Sequence, residues 1–169
     1  MDLREIQRPL KEQYRAEPGA ARITLRAQGV QADSPMACSV DLGRALYAAQ
    51  AHAGVGGSGT AACSGDLLLG ALAACAQLTA QMVAANMGIA VERLEVTVEG
   101  DLDLRGTLGL DPGVVRVGFE AIRTRFEVTA PGASEEQLAK LRERAERYCV
   151  VLQTLLQPPP IATEWSSDG

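Results

Sequence analysis

The sequence predicts an α+β fold, because its patterns run as strands, an almost wholly apolar helix, further strands, an amphipathic helix and a last short strand. Two observations carry this. Segments on either side of the apolar helix alternate apolar and polar residues, the period of a strand with one wet face. Cys63–Gly88 and Ser134–Leu156 instead space their apolar residues as helices do.

The elements follow in order. Pro9–Tyr14 reads as a short charged helix with proline at its first position and Pro18-Gly19 as the break after it. Residues 1–19 are therefore expected to form an N-terminal segment and residues 20–169 a single domain. In "ARITLRAQG", Ile23 and Leu25 alternate with Arg22, Thr24 and Arg26 as in a strand. "ACSVDLG" and "RALYAA" continue the sheet, with a turn at Gly43-Arg44. Ala53–Ser64 is a loop of glycine and small residues. Ser64 is the expected N-cap of the apolar helix, Asp66 lies in its first turn and Gly88 stops it. Being apolar nearly all round, that helix needs cover on nearly every side.

Leu94, Val96, Val98, Leu102 and Leu104 keep period 2 past Gly100, predicting one long strand or a hairpin bent at the glycine. In "VRVGFEAIRTRFEVTA" the apolar parity changes near Glu120-Ala121, which predicts a β-bulge. Ser134 and Gln137 form a capping box. It opens a helix with an apolar stripe through Leu138, Leu141, Ala145, Tyr148, Cys149, Leu152, Leu155 and Leu156. Pro158-Pro159-Pro160 end it, and "IATEW" reads as a final strand.

Composition narrows the function. With 16 basic against 21 acidic residues, a formal charge of −5 and no basic cluster, neither nucleic acid nor an anionic membrane is an expected partner. The charged N-terminus lacks the apolar core of a secretory signal, so a cytoplasmic location is expected. Gln77, Thr79 and Gln81 interrupt the apolar helix, which reads as a buried helix of a soluble protein. Gly54–Gly59 satisfies G-x-G-x-x-G, but no good strand precedes it, no helix follows directly and the distal acidic residue is missing. No cofactor is expected.

The four cysteines, Cys38, Cys63, Cys75 and Cys149, have no metal-ligand spacing. By default a cysteine inside an alanine-rich helix is an inert small hydrophobe. Reaction requires thiolate, and a free thiol ionises only near pH ~8.5. Cys75 lies too deep in its helix for the N-terminal dipole to help, so a cation from another segment is expected. Arg44, just before the glycine loop, and His52, the only histidine, are the candidates; Asp66 serves the helix start in any case.

"SGDLLLGALAACAQLTAQMVAANMGI" resembles the central-helix signature of the OsmC/Ohr family of osmotically induced and organic hydroperoxide resistance proteins. "AERYCVVLQTL" resembles the second-helix signature that holds the family's partner cysteine. The resemblance covers roughly Arg22–Trp165. It implies antiparallel sheets packed on two central helices in an intertwined homodimer. It also implies reduction of organic hydroperoxides, with Cys75 attacking peroxide and Cys149 resolving, and a dithiol such as a lipoylated protein reopening the disulfide. The chain departs from the pattern at Ser64 and Val150, where the family has prolines, and at Gly65, where it has a catalytic glutamate. The family's arginine has no unambiguous match. Asp66 with Arg44 or His52 stands as the candidate replacement. The competing reading is a non-enzymatic protein of this fold that binds a small apolar ligand or a protein partner, its cysteines passive.

Overall fold

The computed structural model describes residues 3–17, 20, 22, 24, 28–31, 37–41, 46–109 and 112–166. Helix α1 (Leu3–Ala16) is followed by strands β1 (Gln28–Gln31), β2 (Ala37–Asp41) and β3 (Leu46–Gln50), paired antiparallel in that order. Pro9 lies inside α1 rather than at its start, so the helix is longer than the charged segment suggests. Most of the strand expected around Ile23 and Leu25 falls outside the described residues, as does the turn at Gly43-Arg44; Arg22 and Thr24 are not in a strand.

A single 3₁₀ turn at Ala53–Val55 leads into the long helix α2 (Ser64–Met87). Its N-cap is Cys63, one residue earlier than Ser64, and Asp66 at the third helical position accepts the Cys63 N–H at 2.9 Å. Gly88 ends it at φ 71°, a left-handed conformation in which a Cβ is unfavourable, and its N–H satisfies the carbonyls of Ala84 and Ala85.

Strands β4 (Arg93–Asp101) and β5 (Ala121–Thr129) form a second, antiparallel sheet in which Val96 faces Phe126 and Val98 faces Thr124. Between them Asp103 caps the helical turn α3 (Leu104–Thr107). Neither the long strand nor the bulge is present. Leu104 keeps the strand's parity by coincidence, because the Asp103 side chain accepts the Arg105 N–H and starts a helical turn instead. Val117 and Phe119 precede β5, so the parity change marks where that strand begins.

The capping box at Ser134 is present, with Gln137 N–H donating to Ser134 Oγ at 3.2 Å and Ser134 N–H to Gln137 Oε1 at 2.8 Å. The helix it opens is broken at Cys149 into α4 (Glu135–Tyr148) and α5 (Val150–Leu156). The segment "IATEW" has no regular structure, and Ile161 and Trp165 are exposed.

Helix α2 packs against β4, α4 and α5. Its buried positions, Leu72, Ala76, Thr79, Ala80 and Ala84, share one side. They divide the core into an outer cluster with Ile89, Ala130 and Leu141, and a central one in which Leu72, Ala76 and Cys149 meet Val96, Val98, Ile122 and Phe126. The opposite side of α2, through Ala71, Ala74, Leu78, Gln81 and Ala85, is exposed. Alone in length and apolarity among the described helices, α2 meets the size of a membrane span, and here it serves as the core helix of an α+β fold.

Candidate active site

The break at Cys149 builds the site. An unbroken helix would direct the Val150 N–H to the Glu146 carbonyl, four residues back. At Cys149 the backbone is extended (φ −74°, ψ 103°), and the Gln153 side chain donates to the Glu146 carbonyl instead, at 3.1 Å. The helical ladder resumes with Gln153 N–H to the Cys149 carbonyl at 2.9 Å. The first amides of α5 are thereby released, and those of Val151 and Val150 donate to the Cys75 sulfur. Thr79, one turn beyond Cys75 on the same side of α2, directs its hydroxyl to that sulfur. Cys149, fully buried at 0% exposure, brings its thiol into hydrogen-bonding contact with Cys75. The two thiols are unlinked.

Burial pushes the Cys75 thiol up, because a thiolate loses its hydration there. The Val151 N–H, the Cys149 thiol, the Thr79 hydroxyl and the Val150 N–H more than offset this and leave Cys75 below the ordinary thiol value. Cys149 moves the other way. Burial raises it; the Leu152 N–H opposes this only in part, and the neighbouring Cys75 raises it further. The pair therefore favours a thiolate on Cys75 with the shared proton on Cys149. Among the described residues the groups that act on Cys75 are neutral donors, and Arg44, a candidate for the cation expected from the sequence, lies outside those residues. The sequence signal for the donors is Val150, a residue with an N–H where proline would have none, followed three positions later by Gln153.

Asp66 and His52 meet each other at the far end of α2. Asp66 stands nine residues from Cys75, about 13 Å along the helix axis. The Cys63 N–H, then the Cys63 thiol, with a further contribution from His52, hold its carboxyl below the usual carboxylate range. His52 Nδ1 accepts the Gly54 N–H at 3.0 Å. With Cys63, Leu69, Leu102 and Phe119 these residues line a cleft of about 230 Å³. A Cβ at Gly65 would meet the Phe119 ring at 3.3 Å and the Cys63 sulfur at 3.5 Å, so a longer side chain there requires the ring to shift. Arg44 lies outside the described residues, as does the Cys38 side chain. Among the described residues no group of three or more His, Cys, Asp or Glu side chains is arranged to hold a metal ion.

Residues 57–164, well over half of the chain, match the family model described as OsmC-like protein. The chain belongs to the OsmC-like family. Solved structures agree on the fold. An OsmC-like protein from Mycoplasma pneumoniae superimposes with a TM-score of 0.67 at 18% identity, over 80% of this chain and 89% of that one. For an organic hydroperoxide resistance protein from Legionella pneumophila the values are 0.60 and 19%, over 81% and 92%. For one from Elizabethkingia anophelis, with crystallant-derived thiocyanate bound, they are 0.59 and 18%, over 82% and 91%. No curated protein matches the sequence. In this OsmC-like chain the matched segment contains α2 with Cys75 and α4–α5 with Cys149, whereas α1 precedes it.

Proposed function

We propose that the protein is a cysteine-based peroxidase that reduces organic hydroperoxides, Cys75 being the attacking thiol and Cys149 the resolving one. The observation that carries this reading is the contact of the two thiols with the Val150 and Val151 amides on the Cys75 sulfur. Membership of the OsmC-like family supports a peroxide-related or stress role.

The Cys75 thiolate attacks the distal oxygen of R–O–O–H. A sulfur–oxygen bond forms, the O–O bond breaks, and two electrons pass from sulfur to the peroxide. The leaving alkoxide takes a proton and departs as the alcohol; the Cys149 thiol, which already donates toward Cys75, is the nearest proton source. Cys149, now a thiolate, attacks the sulfur of the Cys75 sulfenic acid; the sulfur–sulfur bond forms as the sulfur–oxygen bond breaks, and the leaving hydroxide takes a proton from solvent to become water. A dithiol, such as that of a lipoylated protein, reopens the bridge by exchange. The apolar wall of Val96, Val98, Ile122 and Phe126 around the pair favours organic over hydrogen peroxide.

The exposed stripe of α2, with Leu78 at 58% exposure, supports a homodimer that covers it. A monomeric mass by sedimentation at micromolar protein would exclude that assembly. We place the protein in the cytoplasm, where the thiols stay reduced between turnovers.

Peptide mapping after one equivalent of an organic hydroperoxide tests the chemistry. The expected product is a Cys75–Cys149 disulfide, and Cys149→Ser is expected to consume about one peroxide per subunit and stop with sulfenic or sulfinic acid at Cys75. One observation favours the passive-binding alternative: Gly65 with Phe119 packed on it supplies no carboxylate at the position of the family's glutamate. Folded wild-type protein that consumes no organic hydroperoxide would establish that alternative.

A further inference from the structure

One residue spans the break between α4 and α5 from both sides. Gln153 donates its backbone N–H to the Cys149 carbonyl at 2.9 Å and its side-chain Nε2 to the Glu146 carbonyl at 3.1 Å. A continuous helix would claim three N–H groups across this point, Val150 for Glu146, Val151 for Arg147 and Leu152 for Tyr148. All three turn to sulfur instead. Val150 and Val151 donate to Cys75, and Leu152 to Cys149. The Glu146 carbonyl is the first acceptor that a closed helix would need, and Gln153 occupies it.

The backbone itself is free to close. Position 150 carries valine, whose N–H can join an α-helix, and Cys149 already has φ −74°, so turning ψ from 103° to about −42° would restore the ladder. The Thr154 hydroxyl donates to the Val150 carbonyl at 2.8 Å, a bond within α5 that fits either arrangement. What opposes closure is the Gln153 side chain together with the packing of Val151 and Leu152 on the central cluster.

We propose that Gln153 is a positioning residue: by taking the Glu146 carbonyl, its side chain holds the helix open at Cys149 and keeps the Val150 and Val151 amides on the Cys75 sulfur. This deepens the reductase reading above, since it assigns a residue that acts on the same thiol through the backbone. The Gln153 amide is neutral, so its effect travels by hydrogen-bond geometry and not by charge. Among the described residues the titratable group acting on Cys75 is Cys149, and β4 and β5 bring Val96, Val98, Ile122 and Phe126 to the pair. Loss of the amides is therefore a change that the acidity of Cys75 reports.

The test alkylates reduced protein with iodoacetamide from about pH 6 to about pH 10 and reads each cysteine by peptide mass. Gln153→Met keeps an unbranched side chain of similar length that cannot donate to a carbonyl. Near pH 6 its Cys75 should react about tenfold more slowly than in wild type, and the two rates should converge above the ordinary thiol value of ~8.5, where both thiols are ionised. An unchanged rate would give the break to the packing of Val151 and Leu152 and overturn the assignment. Slowing by one factor at every pH would report blocked access and overturn it too.

Val150→Pro supplies a second arm. Proline cannot donate to Glu146, and its ring clashes with that carbonyl in a continuous helix, so it holds the break without help. Gln153→Met added to Val150→Pro should therefore change the Cys75 rate by less than about twofold. A further tenfold slowing in that background would mean that Gln153 acts by a route other than the break, and the assignment would fall. Peroxide is not needed for any of these readings. If wild type reduces no hydroperoxide while Gln153→Met shows the pH-dependent slowing, the reductase reading falls and the positioning role stands; turnover by wild type with no such slowing gives the reverse.

Discussion

Helix α2 carries two thiols with different neighbours. Cys63 caps its N-terminus, where the dipole favours an anion, and by that rule alone it would be the nucleophile. Its thiol, however, donates to the Asp66 carboxylate. Cys75 sits mid-helix, beyond reach of the N-terminal dipole, and receives the amides of Val151 and Val150 from α5 besides the Thr79 hydroxyl of α2 itself. The helix that carries a thiol thus matters less than what another segment turns toward it. At one end a carboxylate accepts from the thiol; at mid-helix released amides donate to the sulfur.

The largest expected effect is on peroxide consumption. Cys75→Ser should lower it roughly 10³-fold or more, since a serine hydroxyl stays protonated near neutral pH. Cys63→Ser should leave it close to wild type. Comparable losses from both substitutions would erase the distinction drawn between the two ends of α2.

A smaller effect isolates the amides. Val150→Pro removes one N–H and little else, because proline suits the first position of a helix and Cys149 before it is already extended. The Cys75 thiol is expected to rise toward its ordinary value. Its alkylation near pH 6 should then slow by up to about tenfold while Cys63 labelling stays constant. Peptide mass spectrometry of iodoacetamide-treated protein reads both sites at once. An unchanged Cys75 rate would assign the thiolate stabilisation to Val151, the Cys149 thiol and Thr79.

Much of this was legible in the sequence, and the misses share a cause. The end of α2 followed from Gly88 and its start, to within one residue, from Asp66, and the start of α4 from Ser134 and Gln137, because caps are local hydrogen bonds between residues close in sequence. The pairing of Cys75 with Cys149 followed from two apolar helix faces and the family resemblance. The break at Cys149 did not, because the apolar stripe runs straight through it. What favours the break is a side chain, Gln153, serving the Glu146 carbonyl, an arrangement that periodicity cannot encode. The donors to Cys75 were missed with it, since a backbone amide is invisible in a search for charged residues. Similarly, Leu104 and Val117 continue a strand period on paper, while the Asp103 cap and the start of β5 decide their conformation.

The smallest expected effect lies at the other end of α2. Asp66→Asn removes the charge that accepts the Cys63 N–H and faces the helix N-terminus, and should cost about 0.5 kcal/mol near pH 7. The pH dependence has a definite sign. Because the folded protein holds the Asp66 carboxyl below its unfolded value of ~3.9, its stabilisation is complete above that pH and is lost as pH falls through the lower folded value. The difference in urea midpoint between wild type and Asp66→Asn should therefore be constant from pH 7 to about pH 5 and close on further acidification. Alkylation of Cys75 should be unaffected, since about 13 Å of helix separates the two residues. A slower Cys75 reaction in Asp66→Asn would mean that the carboxylate reaches the thiol from a second subunit, and would turn the two ends of α2 into one composite site.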